Sequence, residues 1–81
     1  MKNLEFDITN LFEKYEYILF FCTRIYDDKK LEIIAGPWLS DAFLHKDPYG
    51  EEMLKEFDSL VTRNNCSWKF SNMKIIIKKN N

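Results

Sequence analysis

Between residues 48 and 77 the apolar positions change from helical spacing to strict alternation, and that change of period decides the fold class. Met53, Leu54, Phe57, Leu60 and Val61 form one stripe over residues 48–64, the pattern of a surface helix with its inward face marked. Asp47 stands at the N-cap position and Pro48 at the first helical position, where its missing N–H costs nothing. Glu51 and Glu52 lie near the positive end of the helix dipole and Arg63 near the negative end, and Asn64-Asn65 supplies a stop. Beyond it Cys66, Trp68 and Phe70, then Met73, Ile75 and Ile77, alternate as half-buried strands do. Ser71-Asn72 is a candidate tight turn between two short strands; without it the segment is one bent strand.

Upstream, Leu4, Ile8, Leu11, Phe12 and Tyr15 share helical spacing, which predicts a helix from Asn3 or Asp7 to Glu16 with Asp7 as a suitable N-cap. Leu4, Phe6 and Ile8 also fit the alternation of a strand, so the beginning stays open between the two. Residues 17–26 are β-branched or bulky, and the polar group Asp27, Asp28, Lys29, Lys30 separates them from residues 31–35, which predicts a hairpin. Phe21 and Leu19 share one face of its first strand and Phe20 and Cys22 the other, so the strand is apolar on both sides. Gly36-Pro37 ends the second strand. The connection that follows holds Trp38, Leu39, Phe43 and Leu44, too apolar for a solvated loop, and Ser40 can cap one short helical turn across residues 41–45.

The expected fold is therefore α+β: one domain over residues 1–81, with a small antiparallel sheet of three to four strands and two main helices on one face, in the order α-β-β-α-β(-β). Phe12, Leu19, Phe21, Phe57 and Trp68 are assigned to its core. Seven phenylalanines, four tyrosines and two tryptophans supply more buriable surface than a disordered chain has, and two glycines and two prolines leave few places for long loops. The longest apolar run, residues 17–22, is far short of a membrane span, and the N-terminus shows no apolar leader, so the expected setting is the cytoplasm. In that setting Cys22 and Cys66 are expected as thiols.

Catalytic patterns are missing from the sequence. His45 is the single imidazole, and a zinc site would need it to converge with two distant cysteines and an acid. Cys22, the thiol that could be written beside it, lies amid phenylalanines, where a buried thiol is inert. Gly36 and Gly50 are isolated, which rules out a phosphate-cradling loop, and the carboxylate pairs Asp27-Asp28 and Glu51-Glu52 read as turn and helix-start acids rather than a glycosidase pair. The expectation is a non-enzyme with no cofactor and no metal.

Binding surfaces are the remaining signal. Trp38, Phe43 and Tyr49, mixed with Asp41 and His45, resemble an aromatic anchor with a polar rim. The alternative is that this connection folds back and buries its aromatics as a lid. Glu51, Glu52 and Glu56, with Asp58, form an acidic helix face that suits the basic groove of a nuclease or other nucleic-acid enzyme. All 13 acids precede residue 66, whereas residues 66–81 hold Lys69, Lys74, Lys78 and Lys79 interleaved with Trp68 and Phe70, the composition of a nucleic-acid-binding strand. The leading expectation is a protein-binding module, of an inhibitor, immunity or phage host-interaction kind, that occludes a partner's functional surface. The alternative is a small nucleic-acid-binding domain using the C-terminal strand. A monomer and a homodimer through the doubly apolar first hairpin are both compatible with the sequence.

Overall fold

The computed structural model describes residues 1–17, 21–45 and 48–80, the side chains of residues 21, 22, 24–26, 45 and 49 excepted. Seven elements follow one another: α1 (Lys2–Lys14), β1 (Phe21–Asp27), β2 (Lys30–Ala35), α2 (Pro37–His45), α3 (Pro48–Arg63), β3 (Cys66–Ser71) and β4 (Lys74–Lys79). The strands form one sheet in the order β1-β2-β4-β3, with every neighbouring pair antiparallel. Two local hairpins thus meet through the β2–β4 ladder, in which Ile33 faces Ile75 and Leu31 faces Ile77. This is the α+β architecture that the change of period announces, with a third helix added between β2 and α3.

The inner strands place Leu31, Ile33 and Ala35 of β2 and Ile75 and Ile77 of β4 on one face, and all five are buried under the helices. α1 contributes Leu4, Ile8, Leu11 and Phe12, and α3 contributes Met53, Phe57 and Val61, the residues their helical spacing marks. Phe57 is the hub of an aromatic cluster: its ring centroid lies 5.8 Å from Phe12, 5.5 Å from Phe43 and 5.2 Å from Trp68. Phe43 in turn stacks on Phe70 at 5.3 Å and meets Trp68 edge-on at 5.4 Å. The expected core residues Phe12, Phe57 and Trp68 pack here; the side chains of Leu19 and Phe21 lie outside the described residues.

Helix boundaries follow capping chemistry that the sequence shows only in part. α1 begins at Lys2, so Asp7 lies inside the helix rather than at its N-cap. Its C-terminus is a Schellman motif: the Glu16 N–H bonds the Glu13 carbonyl and the Tyr17 N–H the Phe12 carbonyl at 2.8 Å, with Glu16 at φ 67° in place of the usual glycine. α3 stops at Asn65, which takes φ 58°, a conformation asparagine tolerates. Asp47, expected as the cap of α3, lies outside the described residues.

Two expectations are corrected. The connection after Gly36 is not a single turn capped by Ser40 but the nine-residue helix α2, with Pro37 at its first position. Ser40 is buried, its N–H bonded to the Gly36 carbonyl and its hydroxyl donating to the Ala35 carbonyl at 3.4 Å. The β3–β4 turn lies one residue later than Ser71-Asn72: Ser71 pairs with Lys74, leaving Asn72 and Met73 at φ 52° and 61° as the two loop residues. Positive φ at both positions matches the right-handed twist of the strands, which is why this turn wins although Met73 is a poor left-handed residue.

Candidate functional site

α2 divides the candidate anchor residues between two environments. Its inward side presents Leu39, Ala42 and Phe43 to the core, and its outward arc carries Trp38, Asp41 and Leu44. Five residues along a helix turn the side chain by about 140°, so Trp38 and Phe43 cannot share a face. Trp38 is 62% exposed and Phe43 only 7%. Phe43, expected among the contact residues, is therefore a core residue, held by the rings of Phe57, Trp68 and Phe70. The side chains of His45 and Tyr49 lie outside the described residues.

Three exposed apolar residues escape the sequence reading of this region. Leu44 is 61% exposed, about 120° around α2 from Trp38 with Asp41 between them, and Ile34 and Met73 are each 43% exposed where β2 passes into α2. Ile34 pairs with Lys74, and the next residue, Ala35, donates its N–H to the Met73 carbonyl at 2.8 Å, so Ile34 and Met73 flank one hydrogen bond between the strand and the turn. Pro37 opens α2 two residues later. The signal in the sequence was that α2 is apolar nearly all round, a pattern that leaves some apolar surface outside whichever way the helix is turned.

The acidic face of α3 is less uniform than expected. Glu51 and Glu52 are exposed in the first turns. Glu56 instead joins α1 to α3: it pairs with Lys14 Nζ at 2.8 Å and accepts a short hydrogen bond from the Tyr15 hydroxyl. Those bonds hold its carboxyl below the usual glutamate range, the Lys14 hydrogen bond contributing most. A carboxylate satisfied twice within its own chain is a poor partner for an incoming basic groove. Asp58 likewise accepts the Trp68 indole N–H at 2.9 Å.

The basic strand pair separates cleanly by parity. Trp68 and Phe70 point into the core, while Lys69, Lys74 and Lys78 stand on the opposite, open face of the sheet. Lys79 falls on the helix side, opposite Cys66. The interleaving of aromatics and lysines in sequence therefore does not make stacking platforms beside phosphate contacts; the two residue types face opposite ways. On the open face Glu32 is 6% exposed, with Lys74 Nζ 3.7 Å from its carboxylate.

Cys66 is a buried free thiol whose Sγ lies 3.4 Å from the Asn64 carbonyl. Among the described residues no group of three or more His, Cys, Asp or Glu side chains is placed to hold a metal ion, and no helix is long and apolar enough to cross a membrane. Comparison with protein-family models, curated proteins and solved structures finds no match to this chain.

Proposed function

We propose that this chain is a small, non-enzymatic protein-binding module that acts by covering a partner's functional surface, with the outer arc of α2 as its anchor. One observation carries the reading: a nine-residue helix whose inner side is already committed to the core also holds Trp38 and Leu44 out to solvent, 62% and 61% exposed. Single exposed apolar residues are ordinary, but a large aromatic and a leucine on one arc, with Ile34 and Met73 at the near end of the sheet and Asp41 between, have the composition of an interface centre and its rim. Tryptophan is among the residues that most often dominate binding energy.

Exposed Glu51 and Glu52 support a finer reading, in which the partner is a nuclease or other nucleic-acid enzyme, and the chain an inhibitor or immunity protein of bacterial, phage or mobile-element origin. The free thiol of Cys66 supports action in a reducing compartment such as the cytoplasm.

The test is affinity capture with the wild-type chain beside a Trp38→Ser/Leu44→Ser variant, both shown to be folded by circular dichroism. Both changes lie outside the core, so folding should persist. A stoichiometric partner held by the wild type and lost by the variant supports the module. Recovery of the same proteins by both, or of none by either, rejects α2 as an anchor.

A further inference from the structure

The two faces of the sheet separate the charge of the molecule. Lys30, Lys69, Lys74 and Lys78 stand on the open face with two acids, Glu32 and, opposite Lys30, Asp27, a sum of +2 over these six described residues in a chain whose formal net charge is −1. The helical layer and its loops therefore carry the acidic excess. Lys69 stands opposite Ile76, midway between Lys74 and Lys78 on the neighbouring strand, so the Cα positions of these three step along the face at intervals of about 8 Å. Lys30 and Lys78 stand directly opposite each other in the β2–β4 ladder. Between the lysines lie the apolar side chains of Ile34 and Ile76, and along β3 the hydroxyls of Ser67 and Ser71.

We infer that the open face of the sheet binds single-stranded nucleic acid through its phosphates. Charge complementarity selects a polyanion, and the acidic helical layer makes the binding one-sided, so the strand lies on the sheet and nowhere else. A single strand is favoured over a duplex because Ile34 and Ile76 lie between the lysines on this face, where unpaired bases and sugars can rest against them; a duplex hides its bases and would have to match the lysines with a rigid backbone. With Trp68 and Phe70 packed against the core on the other side, no described side chain on this face offers aromatic stacking, so affinity rests on the lysines and is modest and strongly dependent on salt. This face adjoins the α2 anchor at Ile34, but its lysines are distinct from Trp38 and Leu44, so either reading can fail without the other.

Fluorescence polarisation of a labelled oligothymidylate of roughly 15 nucleotides, within the site size a single sheet face spans, tests the inference. The expected result is single-site binding whose log K falls with log salt at a slope of about −2 to −3, as three to four neutralised phosphates require. The Lys69→Gln/Lys74→Gln/Lys78→Gln variant should lose at least about tenfold in affinity and most of that slope, while Lys79→Gln, altered off the face, should bind as the wild type does. The triple variant's circular dichroism and melting temperature establish that it is folded; if it is not, the pair Lys69→Gln/Lys78→Gln, which spares the Glu32–Lys74 contact, gives the same reading. No polarisation change at about 50 mM salt, where such contacts are strongest, overturns the inference. Equal loss in Lys79→Gln overturns it as well. So does tighter binding of a labelled acidic peptide at the same salt, which would make the face a protein-docking surface.

Discussion

The indole N–H of Trp68 donates to the Asp58 carboxylate across 2.9 Å, tying the outer strand β3 to α3 at the rim of the aromatic cluster. The bond orients the Trp68 ring edge-on to both Phe43 and Phe57. Asp58→Ala removes the acceptor at an exposed position, where water replaces part of it, so the expected cost is about 0.5–1 kcal/mol. Urea unfolding gives the magnitude, and the fluorescence of the variant should redden as the indole gains solvent.

Phe57→Ala is the most disruptive single truncation expected. The ring is fully buried and touches three other aromatic rings, so its loss leaves a cavity between helices and sheet. A cost of about 3–5 kcal/mol is a large share of the 4–12 kcal/mol expected for a chain of this size. A reduced or absent cooperative transition in thermal unfolding is the measurement that checks it.

Of the four described residues at positive φ, two are asparagines, which tolerate it, and two are residues whose side chains do not. Glu16 at φ 67° closes α1 and Met73 at φ 61° turns the β3–β4 hairpin. Glu16→Gly and Met73→Gly are each expected to stabilise the fold by about 0.5–1 kcal/mol, a rise of roughly 4–8 °C per kcal/mol in melting temperature. The Met73 change also removes an exposed apolar side chain, so a variant that is more stable yet binds a partner less well would assign that side chain a part in binding.

Glu56 makes stability depend on pH in a stated direction. Its folded pKa lies below its ordinary value because Lys14 and Tyr15 favour the carboxylate. The folded state therefore binds fewer protons, and the stabilisation is complete above the ordinary glutamate pKa and lost as pH falls through the lowered folded value. Glu56→Gln should lower stability near neutral pH by less than about 1 kcal/mol, since the pair is open to solvent, and the gap to wild type should close in acid. Equal gaps at both pH values would contradict this.

How far the fold is legible depends on contrast between the two sides of each element. α3 and β4 read correctly because polar residues occupy most outward positions, Ile76 being the exception in β4, so their periods stand out. α2 is obscured for the opposite reason: Trp38 and Leu44 outside match Leu39 and Phe43 inside, and no period separates them until the helix is known to start at Pro37. The β3–β4 turn is misplaced by one residue because it lacks the glycine that normally marks positive φ. Within the candidate surfaces, the parity of β4 was enough to divide Lys74 and Lys78 from Lys79 once the strand's inward residues, Ile75 and Ile77, were recognised. The pairing of Glu56 with Lys14 and Tyr15 had no sequence signal, because it joins helices whose packing only the tertiary structure sets.

The order β1-β2-β4-β3 also constrains how the chain assembles in time. Each hairpin closes over a short turn and can form in microseconds, but the ladder between them joins Ile34 to Lys74 across the whole of α2 and α3. That closure carries the entropy of a long loop and is repaid only when Ile33, Ile75 and Phe57 come together. The β2–β4 seam is thus the expected rate-limiting step: Ile75→Val should slow refolding, whereas a change in either hairpin turn should act chiefly on unfolding.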